Sequence, residues 1–279
     1  QTIERDRQRQ IIAPLFGLYD RKETLEQIGE LLGITRERVR QLEKAILIRL
    51  KLAAEKDLPH INQVEKEFIK NLSEMGRVAR VSDLAKKVSE AGDDRDKAHV
   101  AFLATLAQNL TVLDENDDFY QSVAIKEYYD EKQLKDRVTE VVKTIKAHGS
   151  PLTIVELHSQ LNGYEHPDHV RALASVSKSL ANLKDQWGHI KWPLVNPKNI
   201  RDKIYVILQE NEKPMHFSEI AKHIKDSDFK RKDVTTQAIH NELIKDGRFV
   251  LIGRGIYALK EWGYQKGTVA DIITKILKK

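Results

Sequence analysis

The sequence has 279 residues, 41% hydrophobic and 32% charged, with no cysteine and a formal net charge of +5. These values predict a soluble, highly charged chain with room for about two domains of ordinary size, or several small ones. The lack of cysteine excludes disulfides and thiolate metal sites and fits a reducing, cytoplasmic setting. No apolar run approaches the roughly 18 residues that span a bilayer, so no membrane role is expected. The N-terminus has no secretory-signal pattern, and because it begins at Gln1 the natural protein is open to an upstream extension. Charge is uneven along the chain: twelve Lys and Arg face ten acids over 1–58, 19 face 21 over 59–200, and 16 face 11 over 201–279. If nucleic acid is the partner, the basic ends are the expected contacts.

In chain order, Ile11, Ile12, Leu15 and Phe16 close a first helix that stops at Gly17, and a polar turn follows over 18–23. Thr24 starts a second helix, with Gln27 at the capping-box position and Ile28, Leu31 and Leu32 facing inward. Gly33 ends it where a left-handed residue is needed. Thr35 caps a third helix, expected to run to about Ala54, and Asp57-Leu58-Pro59 marks a domain boundary because the residue before proline is pushed out of helix.

Beyond Pro59 one pattern recurs three times: Val81-Ser-Asp83-Leu84-Ala-Lys-Lys-Val88, Ile154-Val-Glu156-Leu157-His-Ser-Gln-Leu161, and Phe217-Ser-Glu219-Ile220-Ala-Lys-His-Ile224. Each follows a helical segment and precedes another, containing Val100, Val170 or Val234. The repeat is too long for a solenoid unit and suits a small domain. Behind the third copy, Phe249–Ile252 and Ile256–Leu259 read as two strands joined by Gly253-Arg254-Gly255. Helices followed by a hairpin suggest a winged helix. The first copy offers Val112-Leu113 and Phe119-Tyr120 around the acidic turn 114–118, and the second offers one wing strand over Ile190–Val195, weakened by Pro193. The expected fold is mainly α: a helix-turn-helix bundle (1–58), then tandem winged-helix domains with short β-hairpin wings over 62–130, 134–198 and 200–279. The last includes a short terminal helix over 268–279.

The stretch 25–42 carries the chemistry. Ile28, Leu32, Ile34, Val39 and Leu42 fall at helix-turn-helix spacing, with Gly29 at the close approach and Gly33 in the turn. At about 100° per residue, Arg36, Glu37, Arg40 and Gln41 cover one arc of the third helix, opposite Val39, Leu42 and Ile46. That polar arc lies near the helix N-terminus, the part that enters a major groove. Arg can take guanine bidentately, Gln can read adenine, and Glu can accept from the cytosine amino group. A salt-bridged surface helix in an ordinary bundle has the same spacing.

The segment Leu15 to Lys51 resembles region four of the housekeeping-type bacterial sigma factors through Phe16-Gly-Leu, Thr24-Leu-Glu-Gln-Ile-Gly and Thr35-Arg-Glu-Arg-Val-Arg-Gln-Leu-Glu. The resemblance implies a unit that reads the minus-35 promoter element and docks on the β flap of bacterial RNA polymerase. It implies Arg36, Glu37, Arg40 and Gln41 as base readers, Arg38 and Thr35 as backbone contacts, and Thr24 as a phosphate contact. The part of a sigma factor that melts the minus-10 element is absent from this sequence. The segment 200–264, with Asp246-Gly-Arg-Phe and Gly255 to Trp262, resembles the HARE-HTH winged-helix family, which includes the N-terminal domain of the RNA polymerase δ subunit. That likeness implies a non-catalytic, transcription- or DNA-linked adaptor in which Phe249, Tyr257 and Trp262 are core, and Lys230, Arg231, Lys232 and Arg254 are basic exposed candidates for DNA.

The middle of the chain is quieter. The acidic turn 114–118 would repel phosphate, which suits a protein contact or a spacer. His158, His166 and His169 have no acid or thiolate completing a metal spacing. There is no Gly-x-Ser-x-Gly, phosphate-binding Gly-rich loop or His-Glu-x-x-His, so no enzyme and no cofactor are expected. The leading expectation is therefore a DNA-binding transcription protein acting on double-stranded DNA with bacterial RNA polymerase. The alternatives are a regulator that holds polymerase without reading DNA, and the targeting part of a DNA-modifying system.

Overall fold

The computed structural model describes residues 2–57, 59–265, 267 and 277. The expected terminal helix over 268–279 lies, but for Leu277, outside the described residues, as does Leu58 of the expected boundary. The fold is mainly helical with small antiparallel sheets, and the chain divides into two compact units, 1–180 and 181–279.

The first unit opens with three helices, α1 (Thr2–Phe16), α2 (Leu25–Leu32) and α3 (Arg36–Asp57). Their stripes meet in a core of Ile11, Ile12, Leu15, Ile28, Val39 and Ile46, each fully or nearly buried. Such side chains stabilise by roughly 1.5–3 kcal/mol apiece when taken from water. Leu31 is the exception to the inward set, being 71% exposed. The bundle covers only the Leu25, Ile28 and Leu32 stripe of α2, and Leu31, one position off it, is left in solvent.

Next come α4 (Pro59–Glu74), β1 (Val78–Arg80), α5 (Val81–Val88), α6 (Asp94–Leu106), β2 (Leu110–Leu113) and β3 (Ser122–Ile125). The strands form one antiparallel sheet in the order β1-β3-β2, with Val78 opposite Ala124 and Leu110 opposite Ile125. Phe68, Leu72, Leu84, Val100, Ala104 and Val123 fill the space between sheet and helices. The second hairpin strand begins at Ser122, not at Phe119. The Asn116 Oδ1 accepts from the amides of Asp118 (2.8 Å) and Phe119 (2.9 Å), curling the chain there, and Phe119 bridges to Ser177 instead. α6 also closes the first bundle: the Phe102 ring meets Phe16 edge-on at 5.1 Å between centroids.

The same order of elements then restarts with α7 (Glu131–His148), β4 (Leu152–Thr153), α8 (Ile154–Ser159), α9 (Pro167–Val176), β5 (Leu180–Leu183) and β6 (Gln186–His189). Within the first unit, α9 lies against β1. Gly76, at φ +94°, lets them meet: a Cβ there would stand 2.4 Å from the Asp168 carbonyl oxygen and 2.9 Å from the Ala172 Cβ. Arg80 Nε donates to the Ser175 carbonyl, and the Arg77 guanidinium sits 3.9 Å above the Tyr128 ring.

In the second unit, the strand expected over Ile190–Val195 is a run of turns, and the strands stand earlier. Lys184 (φ 49°) and Asp185 (φ 62°) are both left-handed, the conformation a two-residue hairpin turn requires. After them come α10 (Ile200–Asn211), β7 (Met215–His216), α11 (Phe217–Asp226), α12 (Thr236–Lys245), β8 (Phe249–Gly253), β9 (Ile256–Leu259) and a 3-10 turn (Lys260–Trp262). The sheet order is β7-β9-β8, matching the first. Ile204, Leu208, Met215, Ile220, Ile224, Ile239, Leu243, Phe249 and Tyr257 form the core, with Trp262 packed at its margin. Val234 is buried in the loop ahead of α12, and Ile239 holds the helix position expected of it.

Candidate nucleic-acid interface

The loop-helix geometry of α2 and α3 follows from local hydrogen bonds. Thr24 Oγ1 accepts from the Gln27 amide (3.2 Å) while Gln27 Oε1 accepts from the Thr24 amide (2.8 Å), a reciprocal cap on α2. Gly33 leaves the helix at φ 64°, and the Ile34 amide donates back to the Gly29 carbonyl at 2.9 Å. The chain returns so closely that a Cβ on Gly29 would lie 2.7 Å from the Ile34 carbonyl oxygen. Thr35 Oγ1 then accepts from the Arg38 amide (3.2 Å) and starts α3.

Val39 is wholly buried and Ile46 is 5% exposed, so this side of α3 faces the bundle core. Thr35, Arg36, Glu37, Arg38, Arg40 and Gln41 are all exposed within its first turns, and Thr24 is exposed at the start of α2. These groups are organised among themselves. Arg40 forks onto Glu37, Nε to Oε2 at 2.8 Å and Nη2 to Oε1 at 2.7 Å. Gln41 Nε2 donates to Glu37 Oε1 (3.4 Å), and Arg38 Nη1 to Gln41 Oε1 (3.2 Å). Arg36 reaches across to Glu26 on α2 at 2.9 Å. The hydrogen bond from Arg40 holds the Glu37 carboxyl below its usual range. On the flank of the helix, Glu43 is pushed up, first by burial and then by the charge of Asp114.

Chemically, this is a row of planar donors and acceptors fixed on a rigid helix. It can address the edges of bases in a groove: guanidinium to two acceptors, carboxylate to an amino group, amide to a donor-acceptor pair. The Thr24 hydroxyl, accepting from an amide, keeps its own proton to donate.

The second set of candidates stands in the other unit. Lys230, Arg231 and Lys232 occupy the loop before α12 and Arg254 the turn between β8 and β9, all exposed. Lys232 Nζ donates to the Ser227 carbonyl at 3.1 Å. The loop is anchored from beneath by Lys203, 4% exposed, whose Nζ donates to the carbonyls of Lys230 (2.8 Å) and Arg231 (2.7 Å). Burial, then the nearby Arg231 charge, lowers the Lys203 pKa. Neither Lys203 nor Glu26 is singled out by sequence reasoning. Lys203 carries a signal nonetheless, because a lysine beside Ile204, Val206 and Ile207 sits on the buried side of α10.

The histidines go to local tasks. His158 Nε2 lies 2.9 Å from the Tyr164 carbonyl, His166 caps α9, and His169 is held below its usual pKa by burial and then by Arg77. Among the described residues no three His, Cys, Asp or Glu side chains gather as a metal set, and no helix is long and apolar enough to cross a membrane.

Comparison with known proteins places a likeness on this same bundle. Residues 5–52 match the family sigma-70, region 4. The chain is 40% identical over 65 residues to the RNA polymerase sigma factor SigA1 of Synechococcus elongatus, a stretch covering 23% of this chain and 15% of that protein. It has the same identity over the same length, with the same coverage, to SigA of a Nostoc species. To the RNA polymerase sigma factor sigB of Arabidopsis thaliana it is 48% identical over 46 residues, 16% of this chain and 8% of that one. The chain thus spans a small part of the length of the relatives it matches, and the family match falls wholly on α1, α2 and α3.

Proposed function

We propose that the chain is a DNA-binding transcription protein that associates with bacterial RNA polymerase, with α3 reading a minus-35-type element in the major groove. The observation that carries this is the exposed row Arg36, Glu37, Arg40 and Gln41 over a buried Val39, on a bundle that matches sigma-70 region 4. Arg36, Arg40, Gln41 and Glu37 contact bases; Thr35, Arg38 and Thr24 contact the sugar-phosphate backbone. The bundle also touches polymerase, at the β flap. The three successive helix–strand–helix–helix–strand–strand segments support tandem winged-helix domains over 62–130, 134–198 and 200–267, the last of HARE-HTH type. In that last domain Lys230, Arg231, Lys232 and Arg254 form a second grip on DNA. The protein acts in the cytoplasm and does no catalysis.

The test is a binding titration of the full chain on a minus-35-type duplex and on an unrelated duplex. The double variant Arg36→Ala/Arg40→Ala is expected to lose roughly tenfold or more on the first and little on the second. Equal binding to both duplexes by wild type and variant would remove the base-reading assignment.

A second reading has its own support. The Arg36–Glu26 and Arg40–Glu37 pairs satisfy much of the face internally, which suits a regulator that holds polymerase without DNA. Salt separates the two readings: phosphate contacts make affinity fall steeply with ionic strength, whereas a polymerase-only binder has no DNA affinity to lose.

A further inference from the structure

The two sides of α6 are held very differently. Toward its own sheet the helix is packed shut, with Val100 and Ala104 buried in the shared core. Toward the α1–α3 bundle its apolar contribution is Phe102, whose ring meets Phe16 edge-on. Beside that contact lies an open cleft of about 780 Å³. One wall is the turn after α1, with Arg21 and Lys22 beside Asp20. The other is the start of α6 and the acidic turn, with Asp93, Asp94 and Glu115 beside Arg95 and Lys97.

The acidic turn is held in place. Glu115 pairs with Lys178 at 2.6 Å, the Lys178 amide donates to the Asp118 carbonyl at 2.8 Å, and Asn116 Oδ1 accepts from the amides of Asp118 and Phe119. Asp114, Asp117 and Asp118 are left exposed. Asp114 reaches the flank of α3 at Glu43, which continues the Arg36–Arg40 stripe toward the C-terminus. The Glu43 carboxyl is raised first by burial and then by Asp114, while Lys22 and Arg40 pull it down. Asp114, Lys22 and Arg40 therefore surround one point on the helix. Lys22 in turn stands two residues ahead of Thr24.

A helix seated in a major groove about 12 Å wide has a phosphate strand along each flank. On this flank the strand would pass Thr24 and Lys22 and run into the carboxylates of 114–118. It would also compete with Asp93, Asp94 and Glu115 for Arg21 and Lys22. We propose that α6 and the acidic turn form an autoinhibitory clamp: docked through Phe102, they hold negative charge where the DNA backbone must lie, and α3 binds a duplex fully only when the bundle moves off α6. The seam suits a reversible joint, because one ring contact and a charge-lined cleft close it, where the sheet side has a continuous core. Closed clamp and bound DNA exclude each other, so a partner that holds the bundle away from α6 raises DNA affinity. The inference rests on the reading of α3 as the DNA-contacting helix, and it adds a control on that helix from within the chain.

Titrations of the full chain on a minus-35-type duplex test it. Asp114→Asn/Asp117→Asn is expected to tighten binding roughly fivefold at low salt, with the gain shrinking as salt rises. Glu131→Gln/Asp136→Asn removes the same charge from the exposed face of α7 and should gain far less. Because the chain has no cysteine, Asp20→Cys/Asp94→Cys can be joined across the cleft with a bismaleimide. The joined form is expected to bind several-fold more weakly than the same variant left unjoined. All six positions are exposed, so circular dichroism of each variant should match wild type. Equal gains from the two neutralised pairs, or a joined form that binds as tightly as the unjoined one, overturns the clamp while leaving α3 as the DNA helix. Binding that is indifferent to Arg36→Ala/Arg40→Ala, in wild type and in Asp114→Asn/Asp117→Asn alike, overturns the proposed role of α3 instead.

Discussion

α3 and α9 are built by similar local rules and meet opposite fates. Each starts behind a side-chain cap, Thr35 or His166, and lays an apolar stripe on its neighbours, with Val39 and Val170 wholly buried. The other face of α3 carries long charged side chains that stay in water. The corresponding face of α9 carries Ala172, small enough to let the backbone near Gly76 press against it. The inward stripe therefore makes the helix, and the size and charge of the outward face decide whether it stays free or is packed over. α6 sits on the packed side through an aromatic ring rather than a small residue.

The largest effect is expected at the α9 seat. Gly76→Val meets both a left-handed φ and a carbonyl oxygen within 2.4 Å, and should destabilise the first unit by about 2–5 kcal/mol. A thermal melt within a degree of wild type would show that the seat is soft. Phe102→Ala should cost about 1–3 kcal/mol, since the ring is only partly buried and its edge-on partner is lost. The expected signature in urea is earlier unfolding of the α1–α3 bundle than of the sheet it rests on. A single unshifted transition would place the joint elsewhere.

On the free face the effect on stability is smallest. Arg40→Ala should move the melting temperature by about one degree or less, because exposed ion pairs contribute little. It should instead move Glu37, which the Arg40 hydrogen bond holds below the ordinary carboxyl range and which returns toward that range without it. The sign follows from the lowered pKa: whatever the pair contributes is present above the ordinary carboxyl value and fades as pH falls through the shifted one. Carboxyl titration by NMR reads this directly, and an unchanged Glu37 curve in the variant would contradict the fork.

Much of the bundle was legible because its signals are local. Thr24 with Gln27, Gly33, and Thr35 act within four residues, and each makes the bond or the turn its position predicts. The exposed arc of α3 was legible for the same reason. The errors arose where distant partners or unmarked turns decide. Leu31 obeys helical spacing but has no neighbour to cover it. The hairpin at Lys184-Asp185 has two left-handed residues and no glycine to announce it. Phe119 left its expected strand for Ser177, 58 positions on, a pairing no local pattern encodes.

The contact of α9 with β1 also bears on how the chain comes to be folded. β1 is an edge strand, and the Arg80–Ser175 bond that helps close α9 onto it joins residues 95 apart in sequence. During synthesis, the bundle and the first sheet emerge well before the helix that seals that edge. Until α9 arrives, a nascent chain presents an open backbone ladder of the kind that recruits neighbouring strands. A fragment cut near residue 130 would keep that condition permanently, and aggregation of the fragment in place of a soluble half-protein is its natural outcome.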